Sequence, residues 1–339
     1  MPEDIFEEVK NSFNDKQFSN RNTDDIVTVM MTGVTALTRQ IAARMDKHGV
    51  LYPAEKIAEV LWDADITHIS NEVSFVENCY AAKPYTTVFC SKPEYMELIK
   101  YIDADVIELT GNHLNDYGSK WLSYTIDIYD REGISYFGGG RNLVDACRPA
   151  LFEINGYKFA FLGANTVGPS YDWADEDSAG SAPINTTSEV LKEIDMQKFE
   201  NIVKDLAGRG YNVIFTFQYH ETENYFPTEQ QVLDFERMID AGAVIVSGSQ
   251  SHVPQGVKIL NNGFINYGLG NLFFGQQPRD ALLALKVRQG IIAKHVFYKG
   301  SHISTVLIST MIEDASQPRV MTEIERAELL KAVFKGSIR

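Results

Sequence analysis

Short apolar runs, each closed by a polar or glycine-rich stretch, alternate along this chain with segments whose apolar positions return at helical spacing. Residues 26–31 are β-rich and end at Thr32-Gly33, after which 34–39 lead into a helix. Pro53 stands at a plausible first helical position for 53–62, and 65–70 then form a run that continues into Asn71-Glu72. Ser91-Lys-Pro-Glu94 has the form of a capping box opening a helix with Met96, Leu98, Ile99 and Ile102 on its apolar side. The run from Val106 breaks at Gly111, and Trp121, Tyr124, Thr125 and Ile128 recur helically until Gly133. Asn155-Gly156 between 150–154 and 158–162 is a strong hairpin signal.

The second half repeats the alternation. Asp195 can cap a helix carrying Phe199, Ile202, Val203 and Leu206, and the run 213–217 empties into Gln218-Tyr-His-Glu221. A capping box, Thr228 to Gln231, opens the next helix, and 243–247 empty into Gly248-Ser-Gln-Ser-His252. A hairpin over 258–267, short strands at 282–287, 291–297 and 302–311, and a closing helix over 322–335 complete the expectation. The reading is an α/β chain with an antiparallel part. A domain over 26–311 is preceded by a surface helix or linker, 1–25, and followed by a C-terminal linker and helix, 312–339.

In such sheets ligands sit beyond the carboxyl ends of strands. Four such ends carry Glu72, Asn112 with His113, Gln218 with His220 and Glu221, and Gln250 with His252. Imidazole, carboxylate and amide oxygen suit one divalent metal of the zinc, manganese or iron kind, which would activate water. The alternative at 112–116 is that Asn112 and Asp116 only cap the following helix. Gly138-Gly-Gly140 lacks the flanks of a dinucleotide or P-loop fingerprint and reads as a turn, so no nucleotide cofactor is expected. The acidic stretch Asp172, Asp175, Glu176 and Asp177 reads as a solvated loop, with a lid or calcium loop as the alternative.

With 339 residues, 44% of them hydrophobic, the chain can bury a sizeable core. Its formal charge of -15 disfavours nucleic acid and anionic membrane surfaces, and a polyanionic substrate would need a local cation. No apolar run is long enough to span a membrane and the first residues are no signal peptide, so membrane association is expected only through segments outside this chain. Of three cysteines, Cys79 and Cys90 bracket a loop-like segment. A bridge there would add roughly 3 kcal/mol; the alternative is three free thiols.

Thr110-Gly-Asn-His-Leu-Asn-Asp-Tyr-Gly118, Asn71-Glu72, Val246-Ser-Gly-Ser-Gln-Ser-His-Val-Pro-Gln-Gly256 and Tyr267-Gly-Leu-Gly-Asn-Leu-Phe-Phe274 occur in this order. Together they resemble the CapA-type poly-γ-glutamate capsule-biosynthesis proteins, over roughly residues 26–276. The resemblance implies a metallophosphatase-like four-layer sandwich, two mixed β-sheets flanked by helices, with the site at the sheet ends. It also implies an extracytoplasmic or cell-surface location and an anionic polymer or other cell-envelope substrate.

By that resemblance the metal set is Glu72, Asn112, His113 and His252, with His220 as a further ligand. His113, Glu72 and Asp116 are the catalytic candidates, and Asn71, Gln218, Glu221, Gln250 and Asn271 the substrate-binding ones. Two departures stand out: Val34 follows Thr32-Gly33 where the family has an aspartate, and Gln218 and Gln250 replace expected histidines. Three functions follow as alternatives: metal-assisted or acid–base cleavage or transfer on a capsule-type polymer, binding of that polymer without turnover, and phosphoester hydrolysis.

Overall fold

The first apolar run forms the strand Ile26–Met31, whose side chains part to two sides: Val27, Val29 and Met31 enter one core and Met30 another. That period-two split recurs in the strand Tyr157–Asn165, where Phe159 and Phe161 face the first core and Ala160, Leu162 and Ala164 a third. A strand hydrophobic on both faces must be covered on both. The structure, a computed structural model, describes residues 23–80, 87–276 and 281–337.

Among the described residues one sheet has nine strands. Asn271–Phe273, Val34–Thr35, Ile66–Asn71, Ile26–Met31, Gln289–Tyr298, Ser301–Glu313 and Gln317–Val320 follow in order, and Val106–Glu108 and Ser135–Phe137 extend it from Ile66–Asn71. The other main sheet has six: Val257–Leu260, Gly263–Asn266, Ala243–Ser249, Tyr211–Gln218, Tyr157–Asn165 and Ala150–Ile154. Both mix parallel and antiparallel pairs.

The shared core between the sheets joins Val27, Val29, Ile66 and Val106 to Phe159, Phe161, Ile214 and Ile245. The outer face of the larger sheet buries Ile41 and Met45 of helix Arg39–His48 and Leu122, Ile126 and Tyr129 of helix Ser119–Glu132. The smaller sheet is covered by Glu189–Gly208 and Glu229–Asp240 through Phe199, Val203, Phe235 and Met238. Helix, sheet, sheet, helix is the four-layer sandwich that the resemblance implies, built on the α/β alternation of the sequence pattern.

Several local expectations change. Residues 281–286 form the helix Ala281–Lys286 where a strand was expected, because a six-residue run rich in Leu and Ala has no length to separate the two and both residues favour helix. Ser91 caps nothing: its hydroxyl donates to the Leu37 carbonyl at 3.1 Å, and the helix Met96–Tyr101 starts only after the turn Pro93–Tyr95. Ser188, not Asp195, caps Glu189–Gly208, and Asp195 accepts from the Asn185 amide instead. The expected helix over 53–62 divides into Tyr52–Ala54 and Ala58–Leu61.

At the C-terminus, Ser301–Glu313 runs past 311 and Gln317–Val320 pairs with it. Helix Glu323–Gly336 seats Leu329 and Val333 in the inter-sheet core, so 312–337 belongs to the same fold. Of residues 1–25, only the short turn Thr23–Asp25 lies within the described residues.

Candidate functional site

Four strands carry the site. Ile66–Asn71 delivers Glu72, whose amide donates to the Thr35 carbonyl at 3.0 Å, and Val106–Glu108 delivers the turn at Gly111. A Cβ at Gly111 would meet the Glu72 Cα at 2.6 Å, so only glycine lets the turn pass this close. Tyr211–Gln218 ends in Gln218, in register with Asn165 on one side and Ser249 on the other. Beyond Ser249, Gln250 and His252 take φ of 75° and 53°, a left-handed backbone rare for such residues and enriched at functional sites.

Gln218 is the hub. Its Nε2 lies 2.9 Å from Glu72 Oε1, 3.0 Å from Asn112 Oδ1 and in contact with Gln250 Oε1, and all four side chains are buried or nearly so. A primary amide has two hydrogens, so three oxygens compete for two donors. Burial raises the Glu72 pKa; the charges of His252 and His113 and the Gln218 hydrogen bond work against it, and the charge of Glu108 adds to it.

His113 and Asp116 form a pair, Nδ1 to Oδ2 at 2.8 Å, and the same oxygen accepts the Phe89 amide at 2.7 Å. Burial works against the imidazolium, but the hydrogen bond and charge of Asp116, with the charges of Glu72 and Asp172, outweigh it and raise the His113 pKa. His252 Nδ1 pairs with Asn271 Oδ1 at 2.9 Å. A cleft of about 280 Å³ opens over these groups. Glu72, Asn112, His113, Gln250 and His252 form its floor, and Arg39, Phe89, Glu221, Phe274 and Gln276 lie around them. The Arg39 guanidinium carbon stands 4.2 Å from the Phe89 ring centroid.

The structure therefore gathers Glu72, Asn112, His113, Gln218, Glu221, Gln250 and His252. Asp116 and Asn271 stand behind the cleft and orient the two imidazoles. Asn71 is elsewhere: its Nδ2 donates to the Val73 carbonyl and the Tyr129 hydroxyl, a packing role instead of a substrate contact. His220 is exposed, edge-on to Tyr219, and does not line the cleft. Helix Ser119–Glu132 starts after Gly118 with no side-chain cap, so neither Asn112 nor Asp116 caps it. The acidic loop is divided. Asp175 accepts the amides of Asp177 and Ser178, whereas Asp172 is buried and accepts the Asn115 amide at 2.7 Å.

Among the described residues no three His, Cys, Asp or Glu side chains are gathered closely enough to hold one ion. The point on which the Glu72, Asn112 and Gln250 oxygens converge is taken by the Gln218 amide nitrogen. As it stands, this donor arrangement does not fit a divalent metal. Arg39, Phe89 and the buried pair His68–Glu108, 3.0 Å apart, were not singled out by the sequence pattern. Arg39 did leave a signal, as the sole charged residue between Asp25 and Arg44.

The model of the bacterial capsule synthesis protein family PGA_cap matches residues 28–276, about three quarters of the chain, and takes in the described residues that line the cleft. The chain belongs to the PGA_cap family. It is similar to the capsule biosynthesis protein CapA of Bacillus anthracis, 26% identical over 322 residues that cover 92% of this chain and 75% of that protein. It is also similar to the PGA biosynthesis protein CapA of Bacillus subtilis (strain 168), 23% identical, covering 77% and 67%. A probable polyglutamine synthesis accessory protein of Mycobacterium tuberculosis is 24% identical, covering 61% and 55%. The PGA_cap match ends at Gln276, so the long hairpin Gln289–Glu313 and the closing helix lie outside it.

Proposed function

We propose that this PGA_cap chain serves capsule poly-γ-glutamate biosynthesis at the cell envelope, holding the polymer in the cleft and cleaving or transferring its amide linkage by acid–base chemistry. The observation that carries this reading is the pairing, on one cleft, of an imidazole held by a carboxylate with a carboxyl group whose pKa burial raises. Asp116 takes the Nδ1 proton of His113 as a hydrogen bond and leaves Nε2 as the base. Water gives a proton to Nε2 as its oxygen bonds to the amide carbon. In this reading Glu72, with Oε1 engaged by Gln218, delivers a proton from Oε2 to the departing nitrogen as the C–N bond breaks. Proton exchange with solvent then resets both groups. Among the described residues no helix is long and apolar enough to cross a membrane.

A second reading, binding without turnover, is favoured by the Gln218 amide, which ties up Glu72, Asn112 and Gln250. Purified protein incubated with poly-γ-glutamate of defined length separates the two. The acid–base reading expects shortened or newly joined chains, lost in both His113→Ala and Glu72→Gln. Polymer retained without any change in length supports the second reading, and neither retention nor change refutes both.

A further inference from the structure

The chain's formal charge of -15 opposes a polyanion, and Glu72 and Glu221 both line the cleft. Among the described residues lining it, Arg39 is the sole arginine or lysine. Its position is built. The backbone takes φ 50° at this first helical residue, after an extended Thr38, a conformation rare for arginine. The partly buried guanidinium lies over Phe89, 4.2 Å from its centroid, with Phe274 at 5.9 Å. A guanidinium stacked by its face keeps its N–H donors in plane, the geometry of two-point carboxylate pairing.

Phe89 also joins Arg39 to the proposed chemistry. A further neighbour of its ring is His113, with centroids 4.5 Å apart, and its amide donates to Asp116. One aromatic side chain therefore spaces a cation from the imidazole. Glu221, held by the Gln276 amide at 2.9 Å, supplies an opposing charge to Arg39.

We propose that Arg39, laid over Phe89, binds the free carboxylate of a polymer unit and so places the adjoining amide at His113, with Glu221 competing for the same cation. In a γ-linked glutamate chain each free carboxylate sits on the carbon that bears the amide nitrogen, so a fixed carboxylate fixes the linkage beside it. The proposal rests on the cleft being the polymer site.

The test is calorimetric binding of a γ-linked glutamate oligomer and of the same oligomer with its free carboxylates amidated. Arg39→Gln is expected to weaken the acid oligomer about tenfold or more while leaving the amidated one unchanged. Arg39→Lys, which keeps the charge without the planar fork, recovers part of the loss. Glu221→Gln tightens the acid oligomer. If wild type and Arg39→Gln bind the acid oligomer equally, the role of Arg39 is overturned and the cleft reading stands. Equal weakening of both oligomers reveals a structural role and also overturns it. If wild type binds neither oligomer, the cleft reading falls and this proposal with it. Should a thermal melt show Arg39→Gln unfolded, Glu221→Gln decides, and no tightening overturns the proposal.

Discussion

Asp172 offers the sharpest perturbation near the cleft. It is buried, its Oδ1 accepts the Asn115 amide, and its Oδ2 has no hydrogen-bond partner among the described residues. Burial lifts its pKa from 3.8 to about 7; the Asn115 amide opposes the rise, the charge of Asp116 adds to it, and the charge of His113 opposes it. At 1.36 kcal/mol per pK unit, ionising this group in the fold costs about 4 kcal/mol more than in the unfolded chain. The folded pKa lies above the unfolded one. Its contribution is therefore fully present below about pH 4, is lost as pH rises towards 7, and stays flat beyond. Asp172→Asn keeps the oxygen that accepts from Asn115 and removes the titration. Its new Nδ2 stands where an oxygen already lacks a partner, adding a pH-independent cost of about 1–3 kcal/mol. Urea unfolding at intervals from pH 4 to 8 should show the variant gaining on wild type by about 2–4 kcal/mol across that range. A difference between the two proteins that does not change with pH would refute this reasoning.

Three further outcomes are expected. Asp116→Asn removes the carboxylate charge that raises the His113 pKa, so an NMR titration should find the imidazole titrating at lower pH, and any polymer cleavage should fall about 100-fold; an unmoved titration rejects the pair. Gly111→Ala forces a methyl group onto the Glu72 backbone and should lower stability by about 1–3 kcal/mol in chemical denaturation; a neutral effect means the close approach is not needed. Cys79 and Cys90 are bridged across a separation of 11 residues, so unreduced, denatured protein from an oxidising compartment should titrate one thiol, Cys147, and Cys79→Ser should cost about 2–3 kcal/mol.

The alternation of strands and helices was legible in the sequence, and the four layers followed from the family resemblance; the structure shows why the strands need them. Alternation in 26–31 and long two-sided apolar runs in 157–165 and 211–218 require covering on both faces, and helical spacing at 119–132 and 229–240 supplies the covers. Asn155 and Gly156, with φ of 53° and 79°, close the hairpin that their dipeptide predicts. What failed was local chemistry decided by distant partners. Ser91 has a cap's side chain, but the Leu37 carbonyl takes its proton, and Asn71 sits beside Glu72 in sequence yet faces Tyr129. A strand end delivers consecutive side chains to opposite sides, so neighbours in a motif need not share a site. Arg39 and Phe89 escaped for the converse reason: neither belongs to a motif, and only the fold lays one over the other.

Val34, Gln218 and Gln250, where the sequence departs from the pattern it resembles, all act on one cleft. Here Val34 is fully buried in a small apolar cluster with Ala36, Val73, Phe89 and Phe274, and so supports the ring that carries Arg39. Gln218 turns an amide nitrogen onto the oxygens of Glu72, Asn112 and Gln250, supplying hydrogen-bond donors to atoms that would otherwise face one another. Burial raises the pKa of the Glu72 carboxyl, and the charges of His252 and His113 and the Gln218 hydrogen bond oppose the rise. The floor of the cleft is thus hydrogen-bonded through amides, with Arg39 among the residues that line it.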